Sequence, residues 1–334
     1  MKNLKKLVFC ALFTLCFSKP VFSQDVSWEN LYDQASKLIG EGKYKEGIKV
    51  ARKALRVAET NFGAKDLKAA WSLNVLAYYY QLEGKFKEAE SFAKQALEIS
   101  EDDPNILNNL AIIYTEEGKF SEAEKIAGQA VEISQKTFGK NDPRVAESLS
   151  TLAGVYRTQG KYFQAEPLYE QALELWKKQL GENHPKVVLS MGNLGSVYGA
   201  LGKYDQADQL LKKVLSIHES TLQPNHPLLA LTLREIGKLY IREGNLVSAE
   251  TYLKRALTIQ EKVLGENHPE VGATLGRLGL LYRLRRKFKE SESSYKQALK
   301  IFEKTYGLNN PYVWDVNGEL KLLNKEMKKP RIEK

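Results

Sequence analysis

The sequence predicts an all-α solenoid of stacked helical hairpins, and three observations carry that prediction. A short phrase recurs as Gly42-Lys43-Tyr44, Gly84-Lys85-Phe86, Gly118-Lys119-Phe120, Gly160-Lys161-Tyr162, Gly202-Lys203-Tyr204, Gly244-Asn245-Leu246 and Arg286-Lys287-Phe288. Its copies are spaced by 42, 34, 42, 42, 42 and 42 residues. A period in this range marks an array in which each unit covers the apolar face of its neighbour. Within units, apolar residues recur at three- and four-residue steps, which is one face of an α-helix. Small residues recur as well, once in each half of the unit, where two helix axes must cross.

The elements follow in chain order. Lys2, Lys5 and Lys6 precede the apolar run Leu7 to Phe17, and Val21-Phe22-Ser23 precedes Gln24. That is the layout of a cleavable export signal over residues 1–23. The apolar run is shorter than the roughly 20 residues a spanning helix needs, so no stable membrane insertion is expected. Neither Cys10 nor Cys16 follows the small residue of a lipid-attachment site, because Phe9 and Leu15 stand there. The repeat array is expected over residues 24–310, with units near 28–61, 70–103, 104–137, 146–179, 188–221, 230–263 and 272–305.

Residues 143 to 185 show how one unit works. Asp142 is placed to cap a helix opened by Pro143, whose missing N–H costs nothing at the first position. Leu149, Leu152, Ala153 and Tyr156 share one face of that helix. Gly160 ends it, since glycine enters the left-handed region freely. A second helix carries Ala165, Leu168, Tyr169, Ala172 and Leu173 on its apolar side, and Gly181 followed by Asn183-His184-Pro185 starts the next unit.

Two series of small residues close each hairpin. Ala77, Ala111, Ala153, Gly195, Gly237 and Gly279 recur on first helices, and Ala89, Ala123, Ala165, Ala207, Ala249 and Ser291 on second helices. Three residues beyond the first series stand Tyr80, Tyr114, Tyr156, Tyr198, Tyr240 and Tyr282, read as rings wedged between helices rather than as a ligand platform. The first unit departs from the pattern at Gln34 and Gly47 and reads as an N-terminal cap. Arg286 replaces a turn glycine, at a cost of roughly 1–2 kcal/mol if it takes the left-handed conformation, and re-shaping or fraying of that turn is expected. Residues 311–327 read as a lone capping helix, with Trp314, Leu320 and Leu323 covering the end of the stack. Residues 328–334 are expected to be a disordered tail.

These positions resemble the tetratricopeptide repeat (TPR), with its bulky apolar residue, Leu, Gly/Ala, Tyr, turn Gly and two alanines at matching spacing. The 42-residue units, with their Gly-x-Asn-His-Pro or Gly-x-Asn-Asp-Pro extensions, resemble the subtype found in kinesin light chains and many bacterial repeat proteins. The resemblance implies a right-handed superhelix of about seven hairpins plus the terminal helix. It also implies a concave groove, lined by the first helices, that binds peptides or proteins.

Composition narrows the functional class. The chain has 50 basic and 41 acidic residues. Four lysines precede Gln24, so the remainder carries 46 basic residues against the same 41, too small a surplus to argue for a nucleic-acid binder. Both cysteines lie before residue 24, leaving the expected mature chain without disulfides, thiolate metal sites or a cysteine nucleophile. His184, His226 and His268 recur before prolines at steps of 42 residues. Hairpins stack about 10 Å apart, whereas metal ligands sit about 2.0–2.2 Å from their ion. These histidines are therefore read as helix-start residues, and no metal or cofactor is expected. No phosphate loop, nucleophile elbow or paired-histidine helix is present, and no enzyme is expected.

Carried over residue by residue, the TPR groove falls on named positions. Its N-terminal part holds Asn74, Tyr78, Asn108 and Asn109, amides and a phenol suited to a peptide backbone. Arg157 and Asn193 lie in the middle, and Arg234, Lys238, Arg242, Arg277 and Arg283 make the C-terminal part cationic. An acidic segment is one partner that this distribution suits, although Glu116, Glu147 and Glu235 reach the same face. The two-lysine carboxylate clamp of chaperone-binding repeats is not reproduced: Asn109 and Asn193 fit its asparagine place, but the flanking repeats lack its basic residues. The expected function is a non-catalytic interaction scaffold in a bacterial periplasm or outside the cell. The competing reading is an accessory subunit recruiting an enzyme in envelope or polysaccharide assembly.

Overall fold

Fifteen α-helices make up the regular structure of the described residues, and no strand occurs among them. The structure is a computed structural model and describes residues 27–40, 42–308 and 310–328. The export signal of residues 1–23 and all but the first residue of the expected tail lie outside the described residues.

The described chain divides into two compact units, one ending at Glu101 and the other beginning at Asp102. The N-terminal unit holds two hairpins: α1 (Trp28–Gly40) with α2 (Tyr44–Asn61), and α3 (Leu67–Leu82) with α4 (Phe86–Ile99). The C-terminal unit continues with α5 (Pro104–Glu116) and α6 (Phe120–Phe138), then α7 (Val145–Thr158) and α8 (Tyr162–Leu180). Next come α9 (Pro185–Ala200) with α10 (Tyr204–Thr221), and α11 (Pro227–Glu243) with α12 (Leu246–Leu264). The last hairpin, α13 (Pro269–Leu284) and α14 (Phe288–Tyr306), is followed by the single helix α15 (Pro311–Met327).

Where the first helix carries glycine at the crossing, a large side chain of the second helix fills the space. A Cβ on Gly195 would lie 2.9 Å from Leu211, one on Gly237 2.6 Å from Leu253, and one on Gly279 2.7 Å from Tyr295. Ala153 is followed 16 positions on by the large Tyr169, but at Ala77 and Ala111 the corresponding residue is also alanine, Ala93 and Ala127. These last four alanines are fully buried. The departure at Gly47 has the same cause: the buried Tyr79 phenol, bonded to the Ala35 carbonyl, fills the space a Cβ would need.

The tyrosine stripe is packing, as its spacing suggested. Tyr114, Tyr198 and Tyr240 are buried. In the C-terminal unit the hydroxyls donate to carboxylates of the preceding second helix: Tyr156 to Glu124 at 3.2 Å, Tyr198 to Glu170 at 2.6 Å, Tyr240 to Asp208 at 2.7 Å and Tyr282 to Glu250 at 3.3 Å. The lysine of the recurrent phrase covers the ring, as Lys161 does Tyr156 at 5.5 Å and Lys287 does Tyr282 at 5.8 Å. Such cation–ring contacts are worth about 0.5–1 kcal/mol each at exposed sites.

Three local expectations need correction. The helix expected from Pro143 begins at Val145, because Asp142 binds both the N–H and the guanidinium of Arg144, holding Pro143 and Arg144 in a turn. The Arg286 turn keeps its shape, with Arg286 itself at φ +57° and its guanidinium 5.5 Å from the Phe288 ring centre. Trp314 does not cover the end of the stack; it is 59% exposed, and Val313, Val316 and Leu323 bury instead.

Candidate functional site

Each first helix in the C-terminal unit is fixed at its start by its own loop. The ring nitrogens Nδ1 of His184, His226 and His268 accept the N–H groups of Lys186, Leu228 and Glu270, each at 3.2 Å. These histidines are thus N-caps, a role in which an acceptor replaces one of the helix's missing partners. Among the described residues, no group of three or more His, Cys, Asp or Glu is arranged to hold a metal ion. No helix there is long and apolar enough to cross a membrane.

The helices so started are tied to one another by polar side chains. Asn108 of α5 donates to Ser148 of α7 at 3.1 Å, and Lys186 of α9 pairs with Glu147 of α7 at 2.5 Å. Ser196 of α9 donates to Glu235 of α11 at 3.3 Å. Arg234 of α11 pairs with Glu270 of α13, and Arg283 of α13 pairs with Glu319 and Glu326 of α15 at 3.2 and 2.6 Å. A line of polar links therefore joins consecutive first helices from α5 to α15.

The predicted site residues are distributed unevenly along this line. Asn108 and Asn109 are buried, and Asn193 and Arg157 are half-buried. Asn74 and Tyr78 are half-buried on α3 of the N-terminal unit, which is described separately. Arg234, Lys238 and Arg277 come together around one cavity, while Lys238 and Arg242 border a smaller recess beside Gly199. Arg283 is engaged elsewhere, holding α15. Arg277 is exposed and has no ion-pair partner among the described residues.

The charges interact strongly. Burial pushes the Glu235 carboxyl up, but Lys238, then Arg234 and Arg157, more than offset this and leave it below its usual value. Lys238 bonds Glu235 at 2.7 Å. Burial nevertheless drives its ammonium below the ordinary lysine value, with Arg277 and Arg234 adding to the depression. Near Arg157, burial raises the Tyr169 phenol against the opposing pull of that guanidinium. Arg157 Nε is buried without a hydrogen-bond partner among the described residues.

The main cavity measures about 450 Å³ and opens between α11, α13, α14 and α15. Arg234 and Lys238 of α11 and Arg277 of α13 line it beside Glu235 and Glu270 of the same two helices. Phe302, Tyr306 and Tyr312 of α14 and α15 also line it, their rings near-parallel, with centres 5.3 to 6.2 Å apart and planes 27 to 29° apart. Asp315 and Glu319 of α15 complete the rim. The aromatic side was not read from the sequence. Its residue from the repeat register, Phe302, stands where earlier units carry Ser134, Trp176, His218 and Gln260, so no series exposed it. The exposed pair Tyr306 and Tyr312, flanking Gly307 and Pro311, is the signal available there.

Comparison with known proteins fits this geometry. The family model of the tetratricopeptide repeat matches residues 31–102, 102–162, 145–220, 196–262 and 228–304. No curated protein matches the chain. Among solved structures, nearly identical TPR-like repeats of kinesin-light-chain type from Podosopora anserina are 29% identical, with a TM-score of 0.50, covering 60% of this chain and 94% of that one. BtubC (BKLC) from P. vanneervenii is 26% identical, with a TM-score of 0.52 and coverage of 72% and 94%. A tetratricopeptide repeat protein from Parabacteroides merdae shares the fold at 17% identity, with a TM-score of 0.57 and coverage of 89% and 98%.

Proposed function

The chain belongs to the tetratricopeptide repeat family, and on that premise we propose that it is a non-catalytic scaffold whose first-helix groove binds a segment of another protein. Members of this family generally act as protein–protein interaction scaffolds. The observation that carries the reading is the line of polar links along the first helices of the C-terminal unit. It presents half-buried polar groups in fixed positions, so binding spares much of the ordering cost on the host side.

The partner we infer is acidic in the stretch that meets α11 and α13. Most cations there are already paired within the chain: Arg234 with Glu270, Lys238 with Glu235. What favours an acidic segment is the remainder, Arg277 with no ion-pair partner among the described residues and Arg242 exposed beside Lys238. The 42-residue units are best assigned to the kinesin-light-chain-like subtype, on the strength of their extensions and the 29% and 26% identities. The lysine-led segment before Gln24 supports export, to a periplasm or the cell exterior.

The test is capture of partners from the host by the purified protein, followed by mass spectrometry and affinity measurement at rising ionic strength. Binding is expected to weaken with salt, because exposed charges are screened within about 8–10 Å at physiological ionic strength. Arg277→Ala is expected to weaken it by about tenfold without loss of helical circular dichroism. Affinity that is flat with salt and indifferent to Arg277→Ala contradicts the acidic-partner mechanism. Arg234 and Lys238 are poorer probes, since their removal also strands Glu270 and Glu235.

A further inference from the structure

The outer face of α2 carries a charge that no other second helix has. Lys45, Lys49, Arg52, Lys53 and Arg56 stand against Glu46 and Glu59, a net of +3 for the helix. The second helices α4, α6, α8, α10, α12 and α14 each lie between −1 and +1. At about 100° per residue, the five cations fall within an arc of about 100°, and the two carboxylates stand just outside it. All five residues are exposed. Lys45 with Lys49, Lys49 with Lys53 and Arg52 with Arg56 are like charges four residues apart, an arrangement that destabilises a helix.

The cause lies in the repeat register. Four other second helices hold an acid at the position of Ile48, and it neutralises the cation four residues on. These pairs are Glu90 with Lys94, Asp208 with Lys212, Glu250 with Lys254 and Glu292 with Lys296, at 2.6 to 2.8 Å. In α2 the Arg52 guanidinium turns instead to the Tyr80 hydroxyl, 2.5 Å away. Lys45, Lys49, Lys53 and Arg56 have no ion-pair partner among the described residues. These charges do not hold the unit together, and they remain open to an outside anion. The face borders neither cavity described above, so no wall orients a small anion there. It runs about 16 Å from Lys45 to Arg56 at 1.5 Å per residue, and none of its cations is interleaved with an aromatic residue on which a nucleic-acid base would stack. Beyond the C-terminal end of α2 come Phe62 and Leu67, 48% and 50% exposed, with the exposed Lys65 between them. Clustered cations with apolar side chains at hand suit the interface of an anionic bilayer, where the cations meet headgroups and the apolar groups enter the layer beneath.

We propose that the outer face of α2 docks on an anionic lipid surface, with the chain adsorbed to the bilayer rather than inserted in it. The proposal goes beyond the scaffold reading and does not rest on it, since these cations lie on a second helix and the groove is lined by first helices. Cosedimentation of the protein purified from its host tests it, with vesicles of phosphatidylglycerol and phosphatidylcholine and with vesicles of phosphatidylcholine alone. Binding is expected to the anionic vesicles only, and is expected to fall as salt rises. Each cation removed near the surface is expected to weaken it about fivefold, so Lys49→Ala with Lys53→Ala weakens it by about tenfold or more. Arg56→Ala repeats the test on one exposed side chain. Lys289→Ala with Lys300→Ala, an equal loss of charge on α14, is expected to leave binding unchanged. Helical circular dichroism is expected to be the same for all these variants. Equal binding to phosphatidylcholine alone, undiminished binding by the α2 variants, or an equal loss in the α14 variant overturns the proposal. So does retention of soluble polyphosphate by a chain that ignores the anionic vesicles. Partner capture that is unaffected by the α2 variants leaves the scaffold reading standing whichever way the vesicle experiment falls.

Discussion

At the scale of single residues, complementary volumes decide whether a hairpin closes. Gly237→Ala would place a Cβ 2.6 Å from Leu253, and such overpacking costs about 1–3 kcal/mol. Leu253→Ala alone leaves a cavity, at about 2–5 kcal/mol. Together they recreate the Ala–Ala pairing of Ala77 with Ala93, so the double variant is expected to lose less stability than the two single losses combined. Denaturant unfolding of the four proteins measures this coupling. A second residue-level device is His218, bonded to Thr232 at 3.0 Å. Burial, and after it the neighbouring charge of His226, holds its imidazole below the ordinary value. As pH falls the unfolded chain takes up that proton first. The stability contributed by the neutral ring is thus complete above the unfolded value, about 6.5, and is lost as pH falls through the folded value. His218→Gln copies the Gln260–Thr274 pair found one unit later. It is expected to flatten the decline of the thermal midpoint on acidification; an unchanged slope would exclude His218 as its source.

At the scale of elements, α15 is the helix without a hairpin partner among the described residues. It occupies the place of a first helix, yet Lys321 stands where the earlier first helices carry a crossing Gly or Ala, and no second helix follows among the described residues. Its attachment relies on Val313, Val316 and Leu323 and on Arg283, whose guanidinium spans Glu319 and Glu326. Arg283→Ala leaves these carboxylates without that partner and is expected to speed hydrogen exchange in α15 selectively, with α7 to α12 unchanged. Uniform acceleration would show that α15 and the rest open as one unit. The sequence made most elements legible because each start and stop has a local cause: prolines at first positions, glycines at turns, small residues at crossings. It misjudged the start of α7, where Asp142 is diverted by the Arg144 side chain, and the burial of Trp314, where helix orientation decides. The aromatic wall stayed hidden because its rings come from α14 and α15 at positions outside any series. Arg234 and Arg283 were visible as groove positions; their ion-pair partners, Glu270 of α13 and Glu319 and Glu326 of α15, are set by neighbouring helices and were not.

At the scale of the whole molecule, the C-terminal unit carries side chains that link its consecutive first helices. Short-range links from α5 to α15 place amides, then charges, then rings in sequence along one face of the C-terminal unit. On the proposed scaffold reading, this ordering would give a polypeptide partner a register. The most direct measurement is site-specific photo-crosslinking in the host, with a photoreactive residue at Asn193 on the first-helix face or at Phe163, which is 82% exposed on a second helix. The expected result is a discrete crosslinked protein from position 193 and none from position 163. Equal capture from both positions, or capture from 163 alone, would contradict binding through the first-helix groove.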